Sequence, residues 1–215
     1  MSRVSSTSPV YQLCGSLYDS TLELKSRNMP LSLRIPTSSD IMTLLDILGN
    51  KENSEFDKSI SDATIEDLES IAQRWTIVSD PPIYRNFLMW YEEKPVGIAG
   101  LGWIGPCNKY QPERDEPRAG AAGVIVQPAA RGQGCAYEAL CIVFDYGFRD
   151  LGLREIRVGS HSGNLPMTAL MEKKFGLMTE IFPEADEVDQ FGNDLKWTIA
   201  QHDWTVQNRV VYHHR

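Results

Sequence analysis

Apolar positions alternate at Leu31, Leu33 and Ile35, which predicts a strand, and Thr37, Ser38, Ser39 and Asp40 then offer capping side chains for a helix over 41–48. A polar stretch, 49–61, reads as a surface lid. Behind it Asp62-Ala63-Thr64-Ile65-Glu66-Asp67 opens a second helix running to about residue 78. Two apolar, aromatic-rich runs, 86–91 and 95–104, flank Glu92-Glu93-Lys94 and predict an antiparallel hairpin. The following stretch, 105–118, carries prolines and charges and cannot be a central strand. A buried strand is expected over 119–127, ended by Pro128, and Ala136, Leu140 and Val143 then recur at helical spacing to about Phe148. Residues 154–160 predict another strand. Met167, Leu170, Met171 and Phe175 predict a last helix, opened by Asn164 and Pro166 and closed by Gly176. Final strands are expected at 177–182 and 195–201, around an acidic loop at 184–189.

This order describes a mixed α/β sheet with helices on its faces. Residues 1 to about 16 look poorly ordered. No composition break divides the remainder, so the expected organisation is an N-terminal extension (1–28), one domain (29–204) and a C-terminal tail (205–215).

Composition narrows the class. Of the 215 residues 42% are apolar and 23% charged, enough for one sizeable core. The net charge of -8 and pI near 5.0 exclude a broad polyanion-binding face, and nucleic acid with it. No apolar run approaches the roughly 20 residues of a spanning helix. Cys14, Cys107, Cys135 and Cys141 form no CxxC pair, and residues 1–9 lack a secretory pattern, so a cytoplasmic chain with reduced thiols, monomeric or homodimeric and without a membrane partner, is the expectation.

The most informative order is a strand, then Pro128-Ala129-Ala130-Arg131-Gly132-Gln133-Gly134, then an amphipathic helix. Glycines let main chain approach a ligand, and the first N–H groups of a helix point outward with partial positive charge. A pyrophosphate suits such a turn, with Arg131 adding charge and forked donors. A turn whose glycines serve geometry alone is the plainer reading. The spacing departs from both GxGxxG and the Walker loop, so neither nucleotide fold applies.

Val126-Gln127-Pro128, Arg131-Gly132-Gln133-Gly134-Cys135-Ala136 and the block Asn164-Leu165-Pro166-Met167 with Ala169-Leu170-Met171-Glu172-Lys173-Lys174-Phe175-Gly176 resemble the central motifs of the GNAT superfamily of N-acyltransferases. Pro-Val-Gly-Ile-Ala-Gly at 95–100 extends the likeness, which spans about 31–200. The resemblance implies a mostly antiparallel sheet of about six to seven strands, flanked by about four helices, with two splayed central strands. It also implies acetyl-coenzyme A as cofactor and an amine of a small molecule or peptide as acceptor. By the same resemblance Val124, Ile125 and Val126 line the pantetheine arm, Arg131, Gly132, Gln133, Gly134, Cys135 and Ala136 hold the pyrophosphate, and Asn164 reaches the arm from the other side or caps its helix. A main-chain N–H near Ile125 or Val126 would face the thioester carbonyl.

Three positions leave the chemistry open. Ala129 supplies no phosphate donor, and Tyr137 can stack, bond a phosphate or pack. The strand 119–126 has no ionisable side chain where some relatives carry a Glu. His161, after the strand that flanks the thioester, is the first candidate base, since a free imidazole titrates near 6.5; a hydrogen-bonded surface His is the plainer reading. Glu180 and Asp203 stand behind it, and Tyr137 or Tyr146 are the candidate acids. Trp90, Trp103 and Tyr110 are candidate walls of the acceptor pocket, with Trp197 and Trp204 either structural or pocket-facing. The competing reading is a fold that has lost acyl transfer and binds a ligand or performs other chemistry in the same cleft.

Overall fold

A computed structural model describes residues 8–107, 117–181 and 191–204. Nine strands form one sheet in the order β1-β2-β3-β4-β5-β6-β7-β9-β8: β1 (Tyr11–Cys14), β2 (Glu23–Ser26), β3 (Leu31–Arg34), β4 (Arg85–Tyr91), β5 (Lys94–Pro106), β6 (Arg118–Val126), β7 (Glu155–Ser160), β8 (Glu180–Ile181) and β9 (Leu195–Ala200). Every neighbouring pair is antiparallel except β6 and β7. The helices are α1 (Ile41–Gly49), α2 (Lys51–Ser54), α3 (Lys58–Ser61), α4 (Ile65–Trp75), α5 (Cys135–Arg149) and α6 (Leu165–Ala169).

The alternation of strand side chains divides two cores between the faces of the sheet. On one face α5 covers Leu33, Phe87, Met89, Leu101, Ala122, Ile156 and Val158. On the other, α1 and α4 bring Leu44, Ile47, Leu48 and Ala72 onto Leu88 and Ile98. α5 is buried along nearly its whole length, including Glu138, Asp145 and Tyr146. Its polar side chains tie distant segments to it. Asp145 accepts from Val10 N (3.0 Å), Arg149 Nε (2.6 Å) and Trp204 Nε1 (3.2 Å), while Glu138 accepts from Ser26 Oγ (2.5 Å) and Asn28 Nδ2 (3.0 Å).

Four differences from the expected elements have local causes. Strands β1 and β2 replace the poorly ordered start, because Val10, Tyr11, Leu22 and Leu24 all reach the α5-side core; they raise the strand count to nine. The lid segment contains α2 and α3, opened by Asn50 Oδ1 on Glu52 N and Asp57 Oδ1 on Ser59 N. The strand expected at 177–182 is regular only over Glu180–Ile181. After α6 the backbone widens into a π-helical turn, Leu170–Lys174, with Phe175 N donating to Leu170 O at 3.1 Å, and both Met171 and Phe175 face inward. The acidic loop at 184–189, Tyr110 and the tail 205–215 lie outside the described residues.

Candidate active site

The pairing between β6 and β7 stops short. It runs from Ala119↔Glu155 to Ala122↔Val158, yet β6 continues to Val126 and β7 to Ser160. Beyond the last pair β7 turns wholly to β9, with Gly159↔Lys196 and Ser160↔Leu195, while β6 keeps its partner β5 through Gly97↔Val126. A wedge-shaped gap therefore opens in the middle of the sheet. Gly123 is exposed there, and Val124, Ile125 and Val126 are half-buried.

Hydrogen-bond alternation says which main-chain groups face that gap. Gln127 N donates to Val96 O of β5 at 2.8 Å, and a strand directs its groups to alternate sides every residue. Val124 and Val126 consequently present their N–H and C=O groups to the gap, whereas Ile125 spends its own on β5. Ile125 also packs its side chain with the α1–α4 core, while Val124 and Val126 pack on the α5 side. Of the three strand residues singled out from sequence, Ile125 contributes no main-chain group to the gap.

At the mouth of the gap, Pro128–Ala130 make one tight turn and Arg131, Gly132, Gln133 and Gly134 follow, all four exposed. Gly132 (φ +78°) and Gly134 (φ +84°) hold left-handed conformations that side chains rarely adopt, and a Cβ on either would project into open space. Gly134 is the N-cap of α5 and gives it no side-chain cap. The first N–H groups of the helix, at Cys135 and Ala136, have no acceptor within it. An exposed cradle of peptide amides beside a diverging strand pair is a geometry that fits a diphosphate carrying a thin, hydrogen-bonding tether.

The side chains around this cradle are more committed than their sequence positions suggested. Arg131 Nε donates to Val126 O (3.1 Å) and Nη2 to Glu52 O (3.0 Å) and Asn53 Oδ1 (2.9 Å), and Nη1 lies 3.7 Å from the Glu52 carboxylate. The guanidinium thus serves main chain and α2 first. Gln133 Nε2 folds back to Ala129 O at 3.3 Å. Asn164 caps α6 through Oδ1, which accepts from Met167 N at 3.2 Å, so its amide Nδ2 is the part that can reach across the gap.

His161 stands at the end of β7, on the lip opposite the turn. Gly163 N donates to its Nδ1 at 2.9 Å, so the neutral ring carries its proton on Nε2 and offers a donor there. That hydrogen bond opposes the base role expected from sequence, because the one nitrogen able to accept a proton is already occupied. Phe56 stacks on the ring, centroids 5.8 Å apart. Tyr137 packs its ring 4.8 Å from Phe175, and its hydroxyl engages the Cys141 sulfur.

The other candidates have partners or packing of their own. Tyr146 is wholly buried between α5 and the sheet, and burial pushes its phenol up to about 12 although the nearby Arg85 guanidinium pulls the other way. Glu180 is ion-paired with Lys196 at 3.0 Å, which outweighs its partial burial and holds it below the usual carboxylate range. Asp203 faces His202 at 3.0 Å near the end of the described chain. Trp197 and Trp204 are buried, donating to Thr179 Oγ1 (3.1 Å) and Asp145 Oδ1, and Trp90 carries Arg34 over its ring at 4.8 Å. Trp103 is half-buried in β5. Cys135 and Cys141 are buried thiols pushed up by desolvation, unsuited to nucleophilic attack.

Two surface depressions lie away from the gap, one against β1 and the end of α5, the other between α3 and α4. The location of the site therefore rests on strand pairing and the helix terminus. Sequence reasoning gave no role to Gln127, Asn50, Asn53 and Phe56, which join the lid segment to the two lips; the signals for them were the Val126-Gln127-Pro128 motif and the polar run 49–61.

Residues 31–174 match the family model of the acetyltransferase (GNAT) domain. No curated protein matches the chain. Among solved structures, a GNAT-family acetyltransferase from Bacillus anthracis superposes with a TM-score of 0.58 at 19% identity, covering 80% of this chain and 96% of its own. A spermidine N-acetyltransferase from Vibrio cholerae, in complex with CoA and spermine, gives 0.63 at 17% identity over 81% and 98%. The Salmonella typhimurium acetyltransferase that modifies the N-terminal serine of ribosomal protein L7/L12 gives 0.61 at 15% over 80% and 95%.

Proposed function

The chain belongs to the GNAT acetyltransferase family, and from that premise we propose that the gap between β6 and β7 holds acetyl-coenzyme A for direct transfer of its acetyl group to the amine of a small molecule or peptide. The observation that carries this reading is the end of strand pairing at Ala122↔Val158 beside the uncapped start of α5. The bound cofactor supplies an acetyl thioester.

What this chain's residues do follows from the direction of the gap. The diphosphate cradle, at Gly132, Gln133, Gly134, Cys135 and Ala136, is at the mouth, and the strands close at Ala122, so a tether entering from the cradle passes Val126 before Val124. The Val126 N–H then pairs with the tether. The Val124 N–H, deeper in, is the donor placed to stabilise negative charge growing on the acyl oxygen. Asn164 Nδ2 reaches the tether from the β7 side. Arg131 adds positive potential from the edge. His161, with its donor nitrogen on the far lip, orients an acceptor or donates a hydrogen bond to the departing thiolate, which takes its proton from solvent. β6 carries no side-chain base, so the amine sheds its proton to solvent at the open mouth.

Supporting the acceptor class are the net charge of -8, which favours approach of a cation, and the amine substrates named for the Vibrio and Salmonella structures. Among the described residues no helix is long and apolar enough to cross a membrane. We place the protein in the cytoplasm on the strength of its free thiols, two of them buried at Cys135 and Cys141. The test is release of free thiol from acetyl-coenzyme A in the presence of a panel of polyamines, amino-sugar amines and peptide N-termini. Turnover with at least one amine is expected; coenzyme A binding without turnover on any of them would favour the ligand-binding reading.

A further inference from the structure

The two lips of the gap are joined by a segment that neither strand contains. Residues 50–58 begin on the β6 side, where Gln127 Oε1 accepts from Asn53 Nδ2 (2.9 Å) and Asn50 Nδ2 (3.3 Å), and Gln127 Nε2 donates to Asp46 Oδ2 (3.2 Å). Arg131 binds Glu52 O and Asn53 Oδ1 from the turn itself. Asn53 is the hub, since its amide also donates to Ile47 O at the end of α1 (2.9 Å). A few residues on, the same segment lies on the β7 side. Phe56 stacks on His161, and Lys58 N donates to Phe191 O at 3.0 Å, just ahead of β9.

Arg131 is therefore bonded at once to the end of the cofactor strand, through Val126 O, and to the cover, through α2. Its position in the turn requires both contacts to shift together. A ligand that fixes the turn fixes the anchor of the cover, and a cover pressed down on His161 holds the turn in place. Two sites coupled through a shared element influence each other reciprocally. We propose that Arg131, Gln127 and Asn53 form a clamp through which coenzyme A binding at the turn orders residues 51–58 over the acceptor side of the gap. Arg131 is in this account a positioning residue whose forked geometry matters more than its charge, and Asn53 is its main partner. The proposal rests on the turn being the coenzyme A site.

The test uses hydrogen exchange on the full chain, with and without saturating coenzyme A, for the unaltered protein, Asn53→Ala and Arg131→Lys. Coenzyme A slows exchange at 132–137 in all three. At 51–58 it slows exchange about 5-fold or more in the unaltered protein, the low end of coupling between sites, and less than about 2-fold in both variants. Lysine keeps the charge and loses the fork. If Asn53→Ala merely speeds exchange at 51–58 in both states and keeps the ligand-dependent slowing, the clamp is refuted. So it is if the unaltered protein is slowed at 132–137 alone. Absence of slowing at 132–137 would instead remove the cofactor site, and the clamp with it.

Discussion

At the scale of single residues, two side chains separate a structural from a chemical role. His161 presents a donor because Gly163 N–H holds Nδ1. His161→Gln, which can still donate a hydrogen bond, is expected to keep activity within about 5-fold, whereas His161→Phe loses about 10-fold or more, the low end for a hydrogen bond to a charged group. Equal losses in both variants, with the acidic limb of the pH–rate profile disappearing, would restore the base role. Tyr146 is the converse case: its hydroxyl is buried without a hydrogen-bond partner, and Arg85 beside it lies outside bonding geometry. Its folded pKa, about 12, stands above the usual 10. The neutral phenol is thus favoured by folding, and its contribution is complete below pH 10 and lost as pH rises from 10 towards 12, by up to about 2–3 kcal/mol. Tyr146→Phe should flatten that part of the stability–pH curve from urea denaturation at each pH. At neutral pH it should cost less than about 1 kcal/mol, because no satisfied hydrogen bond is removed. Tyr11, pushed up by burial and by its bond to Asp150, leaves a residual alkaline slope.

At the scale of elements, the long amphipathic segments were readable and the short ones were not. α5 announced itself by Ala136, Leu140 and Val143 and by the glycines before it, and β4 and β5 by their dense apolar runs. β1 and β2 are four residues each, with one inward face, and what holds them is remote: Val10 N reaches Asp145 across 135 positions. No local pattern carries that information. For the same reason nothing local marks Asp145, which is 1% exposed and gathers three donors. Asp145→Ala should destabilise the protein by about 3 kcal/mol, since it leaves the buried Val10 N–H and Trp204 Nε1–H without an acceptor and loosens both segments from α5; a loss below about 1 kcal/mol in urea denaturation would show that these segments are held by apolar packing alone. The turn at 131–134 was legible because its chemistry is local. The partners of Arg131 were not, because Glu52 and Asn53 are brought to it only by the packing of α1 and α2.

At the scale of the molecule, the proposed site exists because the sheet fails to close. Seven strand pairs are antiparallel, and the single parallel pair, β6 with β7, is abandoned after four residue pairs. An open sheet edge in the interior of a domain is costly unless something else satisfies its amides, and in the proposed site the cofactor's hydrogen-bonding tether would do so. The acidic surface and the cover at 50–61 then govern what approaches the far lip. The most direct measurement is a calorimetric titration of coenzyme A into the unaltered protein and Gly134→Val, with circular dichroism to establish that the variant is folded. The β-branched side chain would occupy the cradle. One site per chain in the unaltered protein and at least about 100-fold weaker binding in the variant are predicted; equal affinity in the two would contradict the assignment of the turn and gap as the cofactor site.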